Sequence, residues 1–252
     1  MLKGFKFYDK VAKKFGGYHT PSKKILEYPK GDPEKIFKNK IIGLSGKNKI
    51  ALDVGCADGR FTLSLAPYFK QIIGIDLSME MLKSAKKNQI DQKIINAYFR
   101  RENGGKTSFR NNFFDLVYAR RGPTFYKEFC RLLKPGGYTA EITVAERDCQ
   151  KLKKIFGRGQ GFGEWDNSTL ELHEKELKKF GFSIIFSKEF FYNEYHKTYE
   201  DLDIFLQGVP IFEDFDSEKD KDLLKEYTNE FTTSKGILLE RHRVVIIARK
   251  NN

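Results

Sequence analysis

Ile50-Ala51-Leu52-Asp53-Val54-Gly55-Cys56-Ala57-Asp58-Gly59-Arg60-Phe61-Thr62-Leu63 is the stretch from which the fold is read. An apolar run turns into a glycine-bearing loop and then into a helical pattern, the order strand, tight turn, helix. Glycine in such a turn lets the backbone approach a ligand closely, because no Cβ stands in the way. In an open α/β sheet, ligands collect beyond the carboxyl ends of the strands. The next strand candidate, Gln71-Ile72-Ile73-Gly74-Ile75-Asp76, ends on a carboxylate 23 residues after Asp53. A carboxylate there can accept two hydrogen bonds from the diol of a ribose. The residues point to a nucleoside-containing cofactor.

Two nucleotide-binding patterns fail on these residues. A dinucleotide fingerprint needs glycine at its first, third and sixth positions; counted from Gly55, those places hold Ala57 and Arg60. A Walker A loop needs Gly-x-x-x-x-Gly-Lys-Ser/Thr, and Gly43-Leu44-Ser45-Gly46-Lys47-Asn48 lacks both the spacing and the hydroxyl. What remains resembles the Asp-x-Gly-x-Gly-x-Gly loop of class I S-adenosylmethionine-dependent methyltransferases, with Asp53, Gly55 and Gly59 matching and Ala57 in place of the middle glycine. Gly74 to Leu82 resembles that family's second strand and following helix, with Ser78 as N-cap and Glu80 at the positive helix end. Ser108 to Tyr118 resembles the approach to the fourth strand. Arg131-Leu132-Leu133-Lys134-Pro135-Gly136-Gly137-Tyr138 resembles the helix end and start of the fifth. The ordered set covers roughly residues 48 to 146.

The resemblance implies a Rossmann-like, doubly wound α/β fold. It has a seven-stranded, mostly parallel sheet, a final antiparallel strand and helices on both faces. It also implies S-adenosylmethionine as cofactor, held by Asp53, Gly55, Cys56, Ala57, Gly59, Asp76, Leu77, Met81 and Ala119. In the family the residue after the third strand contacts the adenine; Lys93-Ile94-Ile95, read as that strand, puts Asn96 and Ala97 there. The segment 1–49 is expected to be a helical lid or arm, with a helix around Pro33 to Leu44, and 50–252 the catalytic unit. Tyr8, Tyr18 and His19 are candidates to close over a substrate. Arg120-Arg121-Gly122-Pro123 follows the fourth strand, so Arg120 or Arg121 is a candidate to clamp a carboxylate or phosphate, with Pro123 opening a helix.

The rest of the chain supplies helices at Asp148–Phe156, 169–180 (ending at Gly181) and 217–231. Strands are expected at Phe182–Phe191 and Arg243–Ala248, with an apolar cap inserted near 198–231. Four glycines fall between Gly157 and Gly163, a stretch suited to a gate, an anion cradle or a linker. His19, His173, His196 and Glu141 are conceivable bases; a base is needed only if the acceptor is protonated at working pH. The chain has 252 residues, enough for a single substantial core. Cys56, Cys130 and Cys149 show no metal-type spacing, which predicts free thiols in a reducing cytoplasm and no metal site. No apolar run approaches the roughly 20 residues of a membrane span, and no secretory leader is expected at Met1–Lys6.

The net charge is +12, and residues 1–49 hold 13 lysines against four acids. Such an arm could track RNA phosphates. However, lysine outnumbers arginine 34 to 12, the reverse of what bidentate phosphate recognition favours. The leading expectation is a methyltransferase acting on a small molecule, one with an anionic group. The alternatives are an RNA base methyltransferase, through a fainter resemblance to bacterial large-subunit ribosomal RNA guanine-N1 methyltransferases, and a catalytically silent cofactor-binding module. Oligomeric state stays open.

Overall fold

A computed structural model of the protein describes residues 5–251; Met1–Gly4 and Asn252, part of the expected lid and of the last segment, lie outside the described residues. In chain order the elements are α1 (Phe5–Phe15), β1 (Lys24–Glu27), α2 (Pro33–Leu44), β2 (Gly46–Val54), α3 (Arg60–Leu65), β3 (Phe69–Asp76), α4 (Met79–Asp91), β4 (Ala97–Arg101), β5 (Phe114–Arg120), α5 (Tyr126–Leu132), β6 (Leu133–Val144), α6 (Gln150–Phe156), α7 (Thr169–Lys179), β7 (Phe182–His196), α8 (Tyr199–Leu206), α9 (Lys221–Phe231), β8 (Thr232–Thr233) and β9 (Gly236–Lys250).

One sheet runs β1-β7-β9-β6-β5-β2-β3-β4, with β8 paired to β9. β2 to β6 pair in parallel, whereas β9 is antiparallel to both β6 and β7. The seven expected strands are present, and the short β1 and β8 extend the sheet. Strand side chains alternate between faces. Ala51, Ile72, Leu116 and Tyr118 join Phe37 and Ile41 of α2, Leu63 of α3 and Leu82 of α4 in one core layer. Leu52, Ile73, Val117 and Ile246 join Phe129 of α5 and Leu177 of α7 in the other. β2 lies between β5 and β3, so the chain leaves it in opposite directions and opens a crevice at its carboxyl end.

Local signals work as expected at several ends. Ser78 caps α4 by accepting from the Met81 amide, and Asp32 caps α2 with Pro33 in its first turn. Gly181, at φ +79°, follows α7. The third strand, however, is not Lys93–Ile95. α4 runs to Asp91, Lys93 turns left-handed at φ +55°, Ile95 is 87% exposed, and the strand starts at Ala97. Pro123 likewise precedes α5 by three residues instead of opening it. β7 and β9 are each 15 residues long, far beyond the strands expected there. Their outer halves carry the cap: Leu202, Phe205 and Leu206 of α8 and Leu224 and Tyr227 of α9 pack with Leu152 and Phe156 of α6 on Ile237 and Leu239.

The N-terminal 49 residues divide between two jobs. α1 lies on α4 through Phe7, Val11, Ala12 and Met81. α2, with Phe37 and Ile41 fully buried, belongs to the core layer, and β1 is an edge strand on β7. The segment placed to cover the site is thereby narrowed to α1 and the loop behind it.

Candidate functional site

The carboxyl ends of β2, β3, β5 and β6 open onto a cleft of about 1200 Å³. Its floor is the turn after β2. Gly55, at φ +77°, lies where a Cβ would come within 3.3 Å of Gly122 Cα and Pro123 Cδ; a Cβ on Gly122 would stand 2.6 Å from the Val54 carbonyl oxygen. The β2 and β5 loops thus touch backbone to backbone, which a side chain at either place forbids. Ala57 takes the left-handed conformation at φ +47°, where a Cβ costs about 1–2 kcal/mol. That twist aims its amide at Asp76, whose Oδ2 accepts it at 2.9 Å, while Oδ1 accepts the Ser78 amide at 2.9 Å. Burial raises the Asp76 carboxyl above its ordinary value. Each of its oxygens keeps a further lone pair for the cleft it lines.

Asp53, next to the last residue of β2, is 2% exposed. Its Oδ2 accepts from Thr62 Oγ1 (2.6 Å) and Tyr118 Oη (3.0 Å), and its Oδ1 is buried without a partner. Burial pushes this carboxyl up to about 7, against the pull of the Thr62 and Tyr118 hydrogen bonds. A buried acceptor left unmatched costs about 1–3 kcal/mol. Asp53 lines the cleft, so Oδ1 suits a cation or N–H donor entering there.

The expected cofactor residues do not all meet. Asp53, Gly55, Cys56, Ala57, Asp76 and Leu77 line the cleft together. Gly59 does not; a Cβ on it would stand 2.5 Å from Phe99 Cζ and 2.9 Å from Ala85 Cβ, so that glycine serves helix–strand packing. Met81 is fully buried under α1, and Ala119 is buried within β5. Asn96 and Ala97 sit at the amino end of β4, opposite the cleft, where Asn96 Nδ2 donates to the Ala66 and Phe69 carbonyls. The misplaced third strand is the reason. Glu102, Asn103 and Gly104, past the true strand end, take the place on the cleft.

Tyr8, Tyr18 and His19 do line the cleft, with the two tyrosine rings edge-on at 5.5 Å. The Tyr18 amide donates to Asp58 Oδ2. Arg120 and Arg121 also line it, and both turn toward one acid. Arg120 Nε donates to Glu34 Oε2 at 2.7 Å, and Arg121 Nε lies 3.4 Å from Glu34 Oε1 without an acceptable hydrogen bond. Neighbouring strand residues would diverge; Arg121 at φ +56° breaks the alternation and brings both together. Burial opposes it, yet the two guanidinium charges hold the Glu34 carboxyl below its ordinary value. An anion clamp formed by this pair alone would have to displace Glu34.

Of the four candidate bases, only His19 lines the cleft. His173 and Glu141 meet Tyr126 between α5, α7 and β6: the Tyr126 hydroxyl donates to Glu141 Oε1 and lies 2.6 Å from His173 Nδ1. His173 and Tyr126 border a separate hollow of about 790 Å³. His196 is fully buried, 2.9 Å from Glu194, with its ring tilted against Phe205 at 4.7 Å. Sequence reasoning missed the far wall of the cleft. Thr143 to Glu146, Asp148, Lys153, Arg241 and Arg243 form it under a roof from Val209, Pro210 and Ile211, and Gln160, Gly161 and Glu164 bring the glycine-rich stretch to its rim. Glu146 also stands with Glu189 and His242, offering three ligand atoms within 4.8 Å of one another, a grouping no motif spacing announces. Among the described residues, no helix is long and apolar enough to cross a membrane.

Comparison with known proteins bears on the domain and the fold. Residues 52–140 match the family model of a methyltransferase domain. The uncharacterized methyltransferase YcgJ of Bacillus subtilis is 26% identical over 153 residues, 53% of this chain and 60% of that protein. Its crystal structure superposes with a TM-score of 0.63 at 16% identity, covering 86% of this chain and 99% of that one. Phosphoethanolamine N-methyltransferase 3 of Arabidopsis thaliana is 33% identical over 94 residues, 34% of this chain and 19% of that protein. A functionally unknown protein from Deinococcus radiodurans R1 shares the fold, with a TM-score of 0.64 at 20% identity over 97% of this chain and 99% of that one. The chain thus spans from about a fifth to three fifths of the curated relatives it matches. Residues 52–140 thus match a methyltransferase domain, and the strand order and β2–α3 turn around them are those that the resemblance to class I S-adenosylmethionine-dependent methyltransferases implies.

Proposed function

We propose that the protein transfers a methyl group from S-adenosylmethionine to a small-molecule acceptor bearing an anionic group. The observation that carries the reading is the pair of carboxylates in one cleft: Asp76 with free lone pairs, and Asp53 with a buried, unpartnered Oδ1. Asp76 would accept the ribose hydroxyls. Asp53 would take the ammonium of the methionine end, and the segment Glu102–Asn103 the adenine edge. Bound there, the cofactor supplies a sulfonium methyl already activated for displacement. The protein's part is then to position the acceptor in line and exclude water. Tyr8 and Tyr18 on the α1 side and Val209 to Ile211 on the cap side are placed to do so. His19 is the histidine near enough to relay a proton.

The test is incubation with methyl-labelled S-adenosylmethionine and a cell extract divided into RNA, protein and metabolite fractions, with calorimetry on the purified protein. Label in the metabolite fraction is expected. Label in RNA would replace the acceptor reading, and absence of heat with both the cofactor and its demethylated product would remove the cofactor reading.

A further inference from the structure

The wall of the cleft formed by β9 and α6 holds three buried cations, Lys153, Arg241 and Arg243, and its acids are committed unevenly among them. β9 lies three strands from β2, on the order of 14 Å at ~4.8 Å per strand, so this wall is well separated from Asp53. Lys153 of α6 is 2% exposed and lines the cleft, with Nζ 5.9 Å from the centre of the Trp165 ring. Asp148, the neighbouring acid, is already taken. Its Oδ1 accepts from Arg241 Nε (3.0 Å), the His242 amide (2.9 Å) and Arg243 Nη1, and its Oδ2 accepts from Arg241 Nη2 (3.3 Å). The remaining arm of Arg241 donates to Glu194 Oε2 at 3.0 Å, and Glu194 also serves Lys24 and His196. Arg243 is 2% exposed, and its Nε is buried without an acceptor.

Arg241 and Arg243 therefore share Asp148, Arg241 also reaches Glu194, and Glu146, the other acid on this wall, accepts from the Thr169 amide, which leaves Lys153 without a hydrogen-bonded acid among the described residues. A buried charge without a partner is strongly unfavourable unless something supplies the opposite sign. Consistent with that, burial pulls the Lys153 ammonium below its ordinary value. The sequence places such groups at the wall of an open cleft instead of packing apolar residues there, under the apolar Val209 and Ile211.

We propose that Lys153 and Arg243 form the anion subsite of this cleft, taking the carboxylate or phosphate of an acceptor whose apolar part lies under Val209 and Ile211. This deepens the small-molecule reading above and rests on it. It also moves the anion from Arg120 and Arg121, which Glu34 occupies, to Lys153 and to the Nε of Arg243, which has no acceptor. Lysine and a single guanidinium N–H act as point donors, so a monodentate anion is enough.

Trp165 is the one tryptophan of the chain and reports on the site. Inorganic phosphate and succinate, each titrated at constant ionic strength into the full chain, are the probes, followed by Trp165 fluorescence and thermal unfolding. Saturable binding of at least one anion is expected, with a melting temperature that rises with its concentration. Lys153→Met, which keeps the aliphatic stem, should bind that anion at least ~10-fold more weakly, whereas calorimetry with S-adenosylmethionine stays within ~2-fold. Lys153→Gln gives the same comparison if the Met variant fails to fold. A response to phosphate alone or to succinate alone fixes the anion class. Equal affinity in wild type and variant, or no saturable response to either anion, overturns the subsite. Loss of cofactor binding in the wild type would instead remove the underlying reading and leave the anion result standing.

Discussion

Replacing Asp53 by asparagine separates a ligand-binding carboxylate from a merely buried one. Burial lifts this carboxyl from 3.8 to about 7. That is about three pKa units at 1.36 kcal/mol each, so on the order of 4 kcal/mol of differential preference for the proton in the folded chain. The folded state holds the proton more tightly than the unfolded one. The group's contribution to stability is therefore full below about pH 4 and lost as pH rises through about 7. The cofactor's ammonium asks for the opposite, an ionised Asp53. Below about pH 7, binding must therefore expel a proton, and Kd should fall about tenfold per pH unit until it levels off. Calorimetry with S-adenosylmethionine between about pH 5.5 and 7.5, below the titration of the ligand's own α-amino group, measures this slope. Asp53→Asn should flatten it and weaken binding at the upper end about 10- to 150-fold, the worth of a charge-assisted hydrogen bond of about 1.5–3 kcal/mol. The free variant should also lose the wild type's decline in stability between about pH 4 and 7. A wild type whose affinity ignores pH, matched by a variant that binds as well, would refute the assignment of Oδ1 to the ammonium.

Gly59→Ala forces a Cβ to 2.5 Å from Phe99 Cζ at φ +71°; overpacking of about 1–3 kcal/mol adds to a left-handed penalty of about 1–2 kcal/mol. Chemical denaturation should show a loss of about 2–5 kcal/mol while cofactor affinity of the folded protein holds within a few-fold. Glu34→Gln removes the carboxylate shared by Arg120 and Arg121 and should cost about 1–2 kcal/mol of stability in urea melts without altering cofactor binding. Asp148→Asn leaves Arg241 and Arg243 without their shared acid and should cost about 3–5 kcal/mol. Despite burial, the Arg241 and Arg243 charges hold the Asp148 carboxyl well below its ordinary value. Its stabilisation is therefore present above the ordinary carboxylate range and lost as pH falls through the folded value, and Asp148→Asn should abolish that segment of the acid-unfolding curve.

The middle of the fold was legible because its signals are local. Asp53, Gly55 and Asp76 each sit where a strand ends, and Ser78 caps its helix in the place its spacing announces. The third strand failed for an equally local reason. Ile94 and Ile95 are apolar but belong to the turn between α4 and β4, so the adenine-side residues shift from Asn96 and Ala97 to Glu102 and Asn103. Glutamate 34 was invisible as a partner of Arg120 because 86 residues separate them. The same holds for the Asp148–Arg241–Arg243 network, assembled by the antiparallel pairing of β6 with β9, which no short window contains. Gly59 shows the converse error. A motif glycine need not face a ligand, and this one is small because Phe99 and Ala85 are close.

The length of the β7–β9 hairpin has a mechanical consequence. Its ladder runs without a break from Phe182 opposite Lys250 in the core to His196 opposite Ile237 at the tip, apart from one bulge near Ile184. The roof of the cleft is therefore rooted in the same two strands that lie between β1 and β6 in the central sheet, and it cannot swing like a flap without bending them. Any movement that admits a ligand falls instead to the opposite side, where α1 rests on α4 through the small cluster of Phe7, Val11, Ala12 and Met81 and the hydrogen bond from Ser78 to Asp9.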